Sequence, residues 1–154
     1  TKAPSRQNTI HMFQFFNKED EERIIAAIRA AEQNTSGEIR VHLEKDANGD
    51  VVKEARRTFA HLKMHKTKAR NGVLIFLVLE RKEFAIIGDK GINDVVGENF
   101  WQAERDIMQA HFRQGDFAGG ICKAIEQVGE KLKAHFPYQS DDENELPDEI
   151  SYSD

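Results

Sequence analysis

Three acids and one amide stand where strands should begin or end in this chain. They are Glu38 in SGEIRVHLE, Asn71 in RNGVLIFLVLE, and Asp89 and Asp94 in FAIIGDKGIND. Carboxylate and amide oxygens are hard donors, the ligands that a divalent cation such as calcium takes. Brought together without compensation they repel. A like pair at ~4 Å and an effective dielectric near 20 costs about 4 kcal/mol before proton uptake relieves it. A bound cation is one form of relief. The basic loop KMHKTKAR, with Lys66, Lys68 and Arg70, is another. A third reading needs no ligand: Asp89 and Asn93 cap a helical turn and Glu38 pairs with a lysine. Residue types and spacing leave all three open.

Other constellations are weaker. Asp46, Asn48 and Asp50 of DANGD alternate as in a calcium loop, near Glu80, but lack the closing glutamate and read as a turn followed by a helix cap. None of the six histidines sits in a paired-ligand motif, and His65 reads as a solvated loop residue. Ser36 lacks the GxSxG elbow, and no phosphate-cradling glycine loop is present.

The elements that must position the acids follow from periodicity. Asn17 caps a helix carrying Ile24, Ile25, Ile28 and Ala31, expected to stop near Asn34. EIRVHLE alternates, with Ile39, Val41 and Leu43 on one side and Arg40, His42 and Glu44 on the other. That pattern predicts a half-exposed strand toward a sheet edge. Asp50 caps a second helix through Val52, Ala55, Phe59 and Leu62. Val73 to Leu79 is apolar throughout, as in a strand covered on both faces. ERKE then turns a hairpin into a third strand through Phe84 and Ile86. A helix with Phe100, Trp101, Glu104, Ile107, Met108, His111 and Phe112 follows; Gly115 ends it, and Asp116 caps a last helix through Leu132.

The predicted order is α-β-α-β-β-α-α, an α/β fold with a small mixed central sheet flanked by helices in a three-layer-like sandwich. The helix between the first two strands is a crossover, so these strands run parallel; the hairpin makes the third antiparallel. The start of strands one and two and the end of strand three then share one pole. This places Glu38, Asn71 and Asp89 together, with Asp94 within reach.

Length and charge bound the rest. At 154 residues the chain is one domain's worth, with 39% apolar and 32% charged residues and a formal charge of -5. No apolar run is long enough to span a membrane. Seven acids and no base lie between Asp141 and Asp154; without them, and without Lys2 and Arg6, the remainder is near neutral. That argues against a nucleic-acid binder. Residues 139–154 are expected to form an acidic, disordered tail. His11-Met12 reads as an artificial junction, so residues 1–11 are expected to be an added leader, Met12 the initiator, and 12–138 the domain. The single Cys122 is expected in the core and suits a cytoplasmic chain.

SGEIRVHLE, NGVLIFLVLERKEFAIIGDKGIND and FRQGDFAGGICKAIEQVGEKL, in this order, resemble the TPM domain family. The name comes from a thylakoid lumen acid phosphatase, a photosystem II repair protein and a nicotinic-receptor auxiliary protein. The resemblance runs over residues 14–136 and is strongest to short stand-alone bacterial members. It implies an α/β sandwich and an acidic pocket for a divalent metal, often calcium, which maps onto Glu38, Asn71, Asp89 and Asp94. Acid phosphatase activity belongs to the plant lumenal branch. Arg70 stands where many members have an aspartate, and Glu80 replaces an aspartate of the hairpin turn. Many relatives are exported and anchored, whereas this chain shows neither signal nor anchor. The expectation is a cytoplasmic, non-catalytic module that binds a divalent cation, calcium ahead of magnesium, and acts through a protein partner. The alternative is a metal-assisted acid phosphatase, in which a metal, or Lys66 and Arg70, holds the phosphate and a carboxylate activates water.

Overall fold

The computed structural model describes residues 15–139 and 144–153. The expected leader and Met12 lie outside the described residues, as do 140–143 and 154 of the expected tail. Elements follow in chain order: α1 (Lys18–Glu32), β1 (Glu38–Glu44), α2 (Val51–His61), a 3-10 turn (Met64–Lys66), β2 (Gly72–Val78), β3 (Glu83–Gly88), α3 (Lys90–Asn93), α4 (Gln102–Arg113), α5 (Phe117–His135) and β4 (Ser151–Ser153). The order α-β-α-β-β-α-α stands, with the 3-10 turn, the single-turn α3 and β4 added.

Capping acts where the side chains allow it. Asn17 accepts from the Asp20 N–H at 2.7 Å, Asp50 from Lys53 at 3.0 Å and Asp116 from Gly119 at 3.1 Å. Each satisfies one of the N–H groups that a helix start leaves without a partner.

The sheet is mixed, in the order β3-β2-β1-β4. β1 pairs parallel to β2, and β2 antiparallel to β3. Period-two alternation sends Ile39, Val41 and Leu43 of β1, with Val73, Ile75 and Leu77 of β2, into one core with Ile24, Ile28, Ile121, Ile125 and Val128 of α1 and α5. Leu74, Phe76 and Val78 point the other way, against Ala55 and Phe59 of α2. Three layers result, and no described helix is long and apolar enough to cross a membrane.

Two expectations are corrected. β1 is not an edge strand: β4 pairs parallel beside it, from His42 opposite Ser151 to Glu44 opposite Ser153. Arg40 and His42, read as outward-facing, are buried and hydrogen-bonded. His42 stacks on Phe76 with centroids 5.6 Å apart, and its ring nitrogens lie 2.9 Å from Ser151 Oγ and 2.9 Å from Glu44 Oε1. Burial holds its pKa below the usual histidine value despite Glu44. Nor are residues 144–153 a solvated tail. Leu146 is buried in the core beside α2, Ile150 in the core beside α1 and α5, and the Tyr152 hydroxyl bonds Glu21. Two buried apolar residues and a strand ladder outweigh a composition that reads as disorder.

Candidate functional site at the strand ends

Topology does bring three of the four candidates to one pole. Glu38 opens β1 opposite Gly72, the first residue of β2. The Glu38 N–H donates to Asn71 O at 3.3 Å, and the Asp89 N–H, just past β3, donates to Gly72 O at 2.9 Å. Asp94 does not join them. It follows α3 on the surface, its side chain 58% exposed, and its carboxylate meets Lys90 Nζ at 2.7 Å. Gly91 makes this arrangement possible. A Cβ there would lie 2.2 Å from Ala69 O, and the Gly91 N–H donates to Arg70 O at 2.8 Å. Only glycine lets α3 press this closely on the basic loop.

Each candidate meets a different partner. The guanidinium of Arg70 grips Asp89 with two bonds, Nε to Oδ2 at 2.8 Å and Nη2 to Oδ1 at 3.0 Å. The fork matches a carboxylate, so Asp89 has its counter-charge from the chain itself. Asp89 Oδ1 also accepts from the Lys90 N–H at 2.7 Å and thereby caps α3. Arg70 holds this pose from left-handed backbone, φ +53°. Asn71 is fully enclosed. Its N–H donates to Thr67 Oγ1 at 3.3 Å and its Nδ2 to Ser36 Oγ at 3.2 Å. Its Oδ1 is buried with no hydrogen-bond partner among the described residues.

Glu38 is covered by the C-terminal segment. Its carboxylate accepts from the N–H of Glu145 at 2.8 Å and of Leu146 at 2.9 Å. Leu146 Cδ1 lies 3.7 Å from where a Cβ on Gly72 would stand, so Leu146 fills space that the glycine leaves over the strand ends. Burial pushes the Glu38 carboxyl up to about 7, against the pull of the two N–H bonds. The basic loop joins the same cover, with the Lys68 N–H on Glu145 Oε2 at 3.2 Å.

Sequence reasoning missed the most perturbed acid at this pole. Glu32, the last residue of α1, accepts from the Ile39 N–H at 2.8 Å. Its carboxyl is pushed up to about 9, first by burial and then by a hydrogen bond to Asp148. Asp148 is also reached by Arg29 Nε at 3.4 Å and Asn144 Nδ2 at 3.2 Å. With Ser36, Glu38 and Tyr138 these residues line a cavity of about 330 Å³. No local spacing links Glu32 to Asp148, which lie more than a hundred residues apart in sequence.

Carboxyl oxygens are therefore plentiful at this pole, but they are spent on internal partners. Among the described residues no three His, Cys, Asp or Glu side chains are arranged to hold a metal ion. At the opposite end of β1, Asp46 accepts from the Ala47 N–H at 2.9 Å, Asp50 caps α2, and Glu80 reaches Lys45 at 4.0 Å. These contacts are those of a turn and a helix cap.

The TPM domain profile matches residues 11–131. Among solved structures the chain is similar to the BA42 protein of the psychrophilic bacterium Bizionia argentinensis. The identity is 51%, 90% of this chain and 95% of that chain are covered, and the TM-score is 0.85. It is also similar to the N-terminal domain of a P. gingivalis protein, at 20% identity over 79% of this chain and 78% of that one, TM-score 0.65. The N-terminal domain of the cg2496 protein of Corynebacterium glutamicum matches at 18% identity over 77% and 75%, TM-score 0.62. The latter two speak for the fold alone. No curated protein matches. By its profile match and its likeness to BA42, the chain belongs to the TPM domain family.

Proposed function

We propose that this chain is a non-catalytic binding module that takes a divalent cation at the strand-end pole, calcium ahead of magnesium, and acts through a protein partner in the cytoplasm. One observation carries the cation reading: the buried Asn71 Oδ1 has no hydrogen-bond partner among the described residues. A buried acceptor without a donor costs about 1–3 kcal/mol, and a hard cation is one group that would relieve it. Of the four candidate ligands, Glu38 and Asn71 suit the group by donor chemistry. Asp89 and Asp94 do not, since Arg70 and Lys90 already neutralise them. A cation drawing on Glu38 competes with the N–H groups of Glu145 and Leu146 for the same oxygens. Calcium is preferred because it tolerates irregular oxygen sets on loops, which magnesium does not.

Thermal unfolding of metal-stripped protein tests this. Calcium at a hundredfold excess over its dissociation constant stabilises the folded state by about 2.7 kcal/mol, a midpoint rise of about 5–10 °C. The rise should be smaller with magnesium and absent in Glu38→Gln and Asn71→Ser. A flat response of the unaltered chain to both ions sinks the cation reading. Turnover of an aryl phosphate by the same samples, lost in Glu38→Gln, would replace it with the metal-assisted acid phosphatase.

A further inference from the structure

The sheet treats its two edges differently. β4 covers β1 at one edge, while β3 has no neighbouring strand at the other among the described residues. Since the Asp89 N–H bonds to Gly72 O, the alternation of an antiparallel ladder turns the N–H and C=O of Phe84 and Ile86 away from β2. Gly88 is in the same phase, and its outward carbonyl is taken by Asn93 Nδ2 at 3.0 Å. Phe84 to Gly88 line, without a gap, a groove of about 730 Å³ along this edge. Phe59 of α2 walls one side and Trp101, just before α4, the other. Arg56 and Arg105 stand on the two rims against a single rim glutamate, Glu98. Arg105 reaches Gln102 Oε1 at 3.1 Å, and the Arg56 side chain makes no hydrogen bond or ion pair among the described residues.

We propose that this groove takes an extended acidic peptide of a partner protein, which adds to β3 as a further strand. The outward backbone groups of Phe84 and Ile86 offer an added strand the partners of a ladder. The peptide's alternate side chains would meet Phe59 on one face and Trp101 on the other. Its acids would answer the two arginines, which no carboxylate of the groove neutralises. The opposite edge shows the same chemistry within the chain. There the acidic stretch ELPDEISYS adds β4 to β1, buries Leu146 and Ile150, and sets Asp148 on Arg29. This inference does not depend on the cation reading, because the groove's walls and free backbone are complete without an ion.

The test uses the full chain, ¹⁵N-labelled, titrated with the synthetic peptide Glu-Val-Glu-Val-Glu-Val-Glu. Amide shifts are expected at Phe84 and Ile86, with the Trp101 indole moving alongside. Reversing both rim charges, Arg56→Glu with Arg105→Glu, should weaken binding by about tenfold, the scale of losing two exposed charge pairs. Both positions are away from the core, so the fold should persist. A peptide N-methylated at alternate amides, tested on the unaltered protein, should not bind, because strand addition needs its N–H groups. The inference is overturned if millimolar peptide causes no shifts, or if the shifts lie away from β3. It is equally overturned if the methylated peptide, or one with lysine in place of glutamate, binds as well.

Discussion

Glu104 occupies a core position of α4, with no exposed surface, between Trp101 and Met108 on the same stripe. Lys131 of α5 reaches Glu104 Oε1 at 2.8 Å and bonds the Phe100 carbonyl, while its Nζ lies 4.7 Å from the Phe100 ring centroid. The second carboxylate oxygen is buried with no partner among the described residues. Such a pair contributes little net stability, but breaking it leaves an uncompensated buried charge. Lys131→Met should therefore cost about 3–5 kcal/mol in urea unfolding. Adding Glu104→Leu should recover most of that loss; a double variant no better than the single would refute the pairing. An acid at apolar helical spacing was visible in the sequence. Its partner was not, because nothing local ties a residue of α4 to one on α5.

At the scale of elements, the C-terminal segment changes how β1 must be read. Alternation in EIRVHLE is the pattern of a strand with one wet face, and in isolation that reading is sound. The wet face is dry because β4 and Leu146 arrive from more than a hundred positions away, bringing Ser151 to His42 and the Glu149 carbonyl to Arg40. Leu146→Ala should thus cost about 2–4 kcal/mol in denaturant unfolding, as for a packed leucine. The same change in a solvated tail would cost almost nothing. Hydrogen exchange offers a second readout, since β1 amides should lose protection in the variant. The helices were legible because capping and a 3.6-residue stripe are local. The pairing of a three-residue strand depends on where distant chain returns.

For the whole molecule, the pole acids set an uncommon pH dependence. Glu32 and Glu38 have folded-state pKa values of about 9 and about 7, both raised from 4.5. The folded state then holds protons that the unfolded state has lost, so stability falls as pH rises above 4.5. The contribution linked to Glu38 is lost by about pH 7 and that linked to Glu32 by about pH 9. Glutamine copies the protonated acid, with an oxygen for the Ile39 N–H and an amide to donate to Asp148. Glu32→Gln should leave the thermal midpoint unchanged at pH 5 and raise it at pH 8.5. A variant with the same slope as the parent chain between these pH values would contradict the assignment.

The sequence by itself determined the layer architecture, the direction of the first three strands and the pole at which Glu38, Asn71 and Asp89 meet. Those follow from local periodicity and from connection lengths that permit few topologies. It also supplied the basic loop as one possible neutraliser, but not that Arg70 would take Asp89 while Asn71 Oδ1 went without a donor. Tertiary structure alone decided that the acidic segment would cover Glu38, that Glu32 would face Asp148, and that no described strand would pair with the outer edge of β3. Each depends on which distant segment reaches a given surface first, and burial converts that choice into proton affinity and hydrogen-bond demand.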